Sequence, residues 1–154
     1  MERTVNHPAE PGVTARLVAL IAATPLLAGA AAALFDPAHL AEAINRHGVL
    51  HGPAAGLVLA ALPPLELLLA GLLVTGRLRP GVKWMTAGLY MAFAGYHTAV
   101  LAGGGASDCG CFGEFASIPI GVGSITVLSL IAAAVAAVPA VAEEREDGLT
   151  LQPV

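Results

Sequence analysis

The sequence predicts an all-α membrane protein, a bundle of four transmembrane helices with both termini in the cytoplasm. Of its 154 residues, 56% are hydrophobic and 12% are charged, so the chain is too apolar for an ordinary soluble domain. Four apolar stretches come close to the roughly 20 residues that cross a hydrocarbon core. Most basic residues flank these stretches on one side only, which predicts the orientation.

The charges and cysteines exclude several classes of protein. The net charge is −4 and comes mostly from the C-terminal residues, where Glu143, Glu144, Glu146 and Asp147 lie close together. No basic surface is available for nucleic acid, and two cysteines are too few for a disulfide-stabilised secreted fold. The composition therefore favours one membrane domain with membrane lipid as its surroundings.

The domain is predicted to span residues 16–142, after a disordered cytoplasmic leader (1–15) that contains Pro8 and Pro11 and before an acidic cytoplasmic tail (143–154). Its transmembrane helices are predicted at about 17–35, 54–74, 84–102 and 122–142. The small residues at 28–33 leave open an alternative, cleavage of the first helix as a signal peptide. Asp36-Pro37 ends this helix and begins an amphipathic piece over 38–45.

The basic residues predict which side of the membrane each loop faces. Six lie on the side of the termini and one on the other: Arg3, Arg16, Arg77, Arg79, Lys83 and Arg145 against Arg46. The positive-inside rule places the six in the cytoplasm. Both cysteines then face the extracytoplasmic side, where disulfides form and persist.

Cys109 and Cys111 are separated by Gly110. An extended chain would place their Cα atoms about 7 Å apart, beyond the roughly 6.8 Å limit for a disulfide, so the backbone must bend, as glycine allows. The small ring should be strained, and strained disulfides exchange readily. Because Asp108 and Glu114 flank the pair and disfavour a thiolate, we expect a resting disulfide that a partner's thiolate attacks.

A metal site is an alternative use of the same cysteines. Cys109 and Cys111 with His47 and His51 would form a Cys₂His₂ set for zinc or copper. Two further alternatives are an incidental cysteine pair and a purely structural subunit of a membrane complex.

Glu66 is an unusual residue for the middle of a transmembrane helix, because a charge there costs about 2.5–3.5 kcal/mol on insertion scales. Pairing with His97 on the next helix would lower the cost of both groups and allow proton relay. The alternative is a protonated Glu66 that hydrogen-bonds to carbonyls freed by Pro63 and Pro64. Ser124 is expected to bond to its own backbone.

Two motifs resemble a known family. They are Leu-Pro-Pro-Leu-Glu-Leu at 62–67, followed by Gly-Leu-Leu at 71–73, and Asp-Cys-Gly-Cys-Phe-Gly at 108–113. With four helices in the expected order, the chain resembles the MauE family of methylamine-utilisation proteins, related to DoxX-like membrane proteins, over residues 17–142. The cysteine motif is the more specific of the two.

The resemblance implies a membrane factor for extracytoplasmic redox maturation. Such a factor works with a thioredoxin-like partner on a disulfide-rich client, the small subunit of methylamine dehydrogenase. It also implies that Cys109 and Cys111 are the redox pair and Glu66 the intramembrane acid. The other motif residues, which would support the pair, are Asp108, Gly110, Phe112 and Gly113. No cofactor is evident. A quinone stays open as a cofactor, although the sequence contains no recognisable quinone motif, so whether the protein is an enzyme in its own right also stays open.

Overall fold

A computed structural model describes residues 12–76, 79–104 and 120–138, and 86% of these residues are helical. This described part contains five helices and no strand: α1 (Val13–Phe35), α2 (Pro37–His47), α3 (Pro53–Val74), α4 (Pro80–Ala102) and α5 (Val122–Ala137). The all-α prediction is confirmed. Residues 1–11 of the predicted leader, the cysteine motif and the acidic tail lie outside the described residues.

Three helix ends differ from the prediction by more than two residues. α1 begins at Val13 rather than Leu17, so it includes Arg16, whose long side chain can reach the interface from inside a helix. α4 begins at Pro80 rather than Trp84, because proline is favoured in the first helical turn. α5 ends at Ala137, and Val138 is extended (φ −62°, ψ 130°) since it precedes Pro139, which disfavours α conformation.

α2 confirms the predicted amphipathic piece. The Asp36 side chain accepts a hydrogen bond from the His39 N–H at 3.0 Å and caps the helix, while Gly48 ends it with a left-handed φ of 65°. Leu40 and Ile44, which share a face at four-residue spacing, are buried. They pack with Ala33 of α1 and Ala55 of α3, so α2 closes one end of these two helices.

The long helices pack most extensively in two pairs, α1 with α3 and α4 with α5. Small residues of α1 and α3 lie in the shared core, including Ala22, Ala23 and Ala70, and they allow close approach of the backbones. The Tyr90 hydroxyl of α4 donates to the Ala22 carbonyl of α1 at 2.5 Å. This bond joins the two pairs across the core.

The helix ends define two ends of the molecule. At the first, which we call the basic end, Lys83 near the start of α4 donates to the Val138 carbonyl after α5 at 2.6 Å. At the second, the α2 end, His47 contacts Tyr96 near the end of α4. Ile120, before α5, forms a buried cluster with Val100, and Tyr96 packs against this cluster. Consecutive long helices therefore run in alternating directions.

Two of the described helices, α1 and α3, are long and apolar enough to cross a membrane. α5 is apolar but has 16 residues, and α4 has 23 residues but does not meet the same test. Large apolar side chains are exposed on all four long helices, for example Ile21, Leu57, Met91 and Leu130. These outward apolar faces are typical of helices surrounded by lipid.

Candidate functional site

Polar side chains are rare in the interior. Within the described ranges, the buried polar or charged residues are Glu66, Thr86 and His97, with exposed fractions of 4%, 0% and 4%. Polar groups at membrane depth are costly and mark functional sites by default. Two of the three, Glu66 and His97, were singled out by the sequence, and their burial supports that choice.

His97 lies five residues before the end of α4 and contacts the start of α5. Its Nδ1 is 3.1 Å from the Ser124 hydroxyl. That hydroxyl donates to the Gly121 carbonyl at 2.8 Å and accepts from the Gly121 N–H at 3.1 Å. Because the hydroxyl proton is committed to the shorter contact, Nδ1 of His97 is the donor to Ser124. His97 thereby positions the first turn of α5.

We expect Ser124→Ala to lower the free energy of unfolding by about 1–2 kcal/mol, because it removes these contacts and leaves a buried histidine N–H without its acceptor. Denaturant unfolding of the purified protein would measure the change. Thr126→Ala is the control, since the Thr126 hydroxyl bonds only the Val122 carbonyl and is exposed. Equal effects of the two substitutions would contradict a special role for Ser124.

Tyr96 and His47 extend this polar cluster toward α2. The Tyr96 hydroxyl is 2.7 Å from Nδ1 of His47, and the two ring centroids are 5.6 Å apart. The Tyr96 ring is 6.4 Å from that of His97. His47, Tyr96 and His97 thus form a row of three rings at the α2 end, which we call the ring row. Sequence reasoning missed Tyr96, although its position next to His97 was a usable signal.

Glu66 does not belong to the ring row. In the described part of the chain, no hydrogen bond or ion pair joins Glu66 to His97, whose Nδ1 contacts Ser124 instead. At about 1.5 Å per residue, Glu66 lies about 20 Å along α3 from the α2 end. His97 lies only about 8 Å along α4 from the same end. The two residues thus differ in depth by about 12 Å, and their pairing stays a prediction. Tyr90, at about 18 Å, is at the level of Glu66 and within its electrostatic range.

The two histidines of the alternative metal set lie in different elements. His47 is the last residue of α2, and His51 follows the left-handed turn at Gly48, so the two do not share a helix face. Across the described ranges, no group of three or more His, Cys, Asp or Glu side chains could hold a metal ion. The other two members of that set, Cys109 and Cys111, lie outside those ranges.

Asp108, Cys109, Gly110, Cys111, Phe112 and Gly113 also lie outside the described residues, but both flanks of their segment are described. Gly104 ends the preceding helix with a φ of 78°. Ile120, 6% exposed, packs with Val100. Both flanks are at the α2 end, next to the ring row.

A comparison with models of protein families shows which family this chain belongs to. The family model described as "Methylamine utilisation protein MauE" matches residues 11–141, which are 131 of the 154 residues. The chain belongs to the MauE family. No curated protein and no solved structure matches it. Membership in the MauE family, together with the apolar α1 and α3, identifies a membrane protein, and the match includes both motifs at 62–67 and 108–113.

Proposed function

We propose that this MauE-family protein is a multi-pass membrane factor for thiol–disulfide exchange outside the cytoplasm. α1, α3, α4 and α5 cross the membrane, and Cys109 and Cys111 exchange equivalents with a thioredoxin-like partner. The observation that carries the proposal is the position of Gly104 and Ile120. Both flanks of the cysteine segment are at the α2 end, opposite the basic end.

The charges of the described residues support this orientation. Arg16, Arg79 and Lys83 lie at the basic end, at or before the first turns of α1 and α4. At the α2 end, Arg46 forms an exposed ion pair with Glu42 at 2.9 Å. Since Lys and Arg near helix ends stay in the cytoplasm, the cysteine segment faces the oxidising side.

The exchange proceeds through one mixed disulfide. A thiolate of the partner attacks one sulfur of the Cys109–Cys111 disulfide, whose S–S bond breaks, and the other cysteine leaves as a thiolate. The partner's second thiolate then attacks the mixed disulfide. The products are an oxidised partner and a reduced cysteine pair, so two electrons have moved from the partner to Cys109 and Cys111. The ultimate client in this proposal is a disulfide-containing dehydrogenase, and the description of the family as methylamine utilisation supports the choice of pathway.

Single-cysteine variants test the exchange step. In cells that express Cys109→Ala or Cys111→Ala, we expect at least one variant to accumulate a mixed disulfide with an extracytoplasmic thioredoxin-like protein. In a single-cysteine variant the remaining thiolate attacks the disulfide of the oxidised partner, and this chain then has no second thiol to resolve the adduct. Reduction should release both proteins, because it cleaves the mixed disulfide. Client maturation should fall at least tenfold in both variants, while Ser107→Ala, just before the motif, should behave as wild type.

The double variant and a labelling experiment complete the test. Full client maturation in the Cys109→Ala/Cys111→Ala protein would overturn the proposal. A membrane-impermeant thiol reagent should label wild-type cysteines in intact cells only after reduction. Labelling that requires cell lysis would place the pair on the cytoplasmic side and contradict the orientation.

A further inference from the structure

A groove opens between α3 and α4 beneath α2. Its volume is about 470 Å³, within the range of roughly 300–1,000 Å³ typical of small-molecule sites. Apolar side chains from three helices line it, among them Leu40, Ile44, Val58, Leu62 and Phe93. Because these residues come from separate elements, the groove has no sequence motif of its own.

The groove is polar at one point only. Tyr96 is the one polar side chain among its lining residues, and the Tyr96 hydroxyl is 2.7 Å from Nδ1 of His47. When Nδ1 of His47 carries the proton and donates to the Tyr96 oxygen, the hydroxyl proton of Tyr96 is available to a ligand. The groove therefore offers an apolar surface with a hydrogen-bond donor at its α2 end.

These features select a ligand with an uncharged carbonyl head and an apolar tail. No lining residue is charged, and Arg46 at the same end is paired with Glu42. A phospholipid headgroup would thus find no cation in the groove. A carbonyl oxygen can accept a hydrogen bond from the Tyr96 hydroxyl, and it carries no charge that the groove would have to neutralise.

We propose that this groove binds an isoprenoid quinone, with a ring carbonyl at Tyr96 and the tail between α3 and α4. The inference rests on the proposed function and names its electron acceptor. Ala99 lines the groove three residues before the end of α4. Tyr96 lies about 9 Å along α4 from the end of this helix at Ala102, and Cys109 follows Gly104 by five residues, a chain length of at most about 18 Å.

The quinone restores the disulfide after each exchange with the partner. The thiols of Cys109 and Cys111 lose their two protons and two electrons and form an S–S bond. The quinone gains both and becomes a quinol, so one quinone is consumed for each disulfide made. No other oxidant is required.

Binding is tested separately from redox chemistry. The full-length Cys109→Ser/Cys111→Ser protein, in nanodiscs of synthetic phosphatidylcholine, is labelled with a photoreactive short-chain ubiquinone analogue. We expect label on α3 and α4 at the groove, displaced by decylubiquinone. Gly95→Leu should reduce this labelling at least tenfold, because Gly95 lines the groove and a Cβ there meets no other atom within 4 Å.

Two further variants complete the binding test. Tyr96→Phe should weaken competition by decylubiquinone about five- to tenfold, since it loses one hydrogen bond. Gly71→Leu is the matched control on α3, where a Cβ also has open space away from the groove, and its labelling should equal that of the parent protein. Equal labelling of the Gly95→Leu and Gly71→Leu proteins would mean that lipid fills the groove and would overturn the inference.

A second measurement separates failure of the site from failure of the proposed function. Reduced wild-type protein, mixed with decylubiquinone without oxygen, should form one quinol per protein, and Gly95→Leu should slow this at least tenfold. Exchange of the Gly95→Leu cysteines with dithiothreitol should stay normal. Mixed disulfides without quinone labelling would refute the quinone site alone, whereas labelling without mixed disulfides or quinol would refute the exchange function.

Discussion

Glu66→Leu is expected to stabilise the protein by about 2–3 kcal/mol and to lower client maturation more than tenfold. Glu66 is 4% exposed in the middle of α3, where an acid costs about 2.5–3.5 kcal/mol on insertion scales. Leucine has a similar volume and no such cost. Unfolding in mixed micelles and the yield of correctly disulfide-bonded client would measure the two effects.

Glu66→Gln distinguishes a charge from a hydrogen bond. The amide keeps the shape and a donor but cannot ionise, so retained maturation would assign Glu66 a neutral, hydrogen-bonding role. A Glu66→Leu protein that is both destabilised and active would show that the carboxyl is a structural group, contrary to our expectation.

Leu69→Ala is expected to lower the free energy of unfolding by about 2–5 kcal/mol, the range for emptying a leucine site in a packed core. Leu69 is 1% exposed and belongs to the same core as Leu26, Leu73 and Tyr90. The same micelle unfolding assay applies. Leu68→Ala, at a neighbouring position that is 57% exposed, should change stability by less than about 1 kcal/mol. Similar losses of stability for both variants would mean that Leu69 does not lie on the buried face of α3.

Much of the fold follows from local sequence signals. The lengths of the apolar stretches predicted the four long helices in order, and Asp36-Pro37 with the spacing of Leu40 and Ile44 predicted α2. The late end predicted for α5 was avoidable, because Pro139 is visible in the sequence and sets the conformation of Val138. Apolar composition alone gave no reason to stop the helix there.

Sequence reasoning picked out Glu66 and His97 but missed Tyr96 and the contacts that these residues make. Glu66 and His97 stand out as polar residues in apolar helices, and both are buried. The bond from His97 to Ser124 joins residues 27 positions apart, and that from His47 to Tyr96 spans 49 positions. No periodicity encodes such contacts. Ser124 does bond its own backbone as predicted, but its contact with His97 depends on how α4 meets α5.

The pairing of α1 with α3 and of α4 with α5 divides the protein into two halves that are each continuous in sequence. During synthesis, the first half can insert and pack before the second emerges. The bond from Tyr90 to Ala22 then forms only when the halves meet. Three features lie where the two halves meet: the groove, the approach of Tyr90 to Glu66, and the contact of His47 with Tyr96. The chemistry proposed for this protein thus depends on the last step of its assembly.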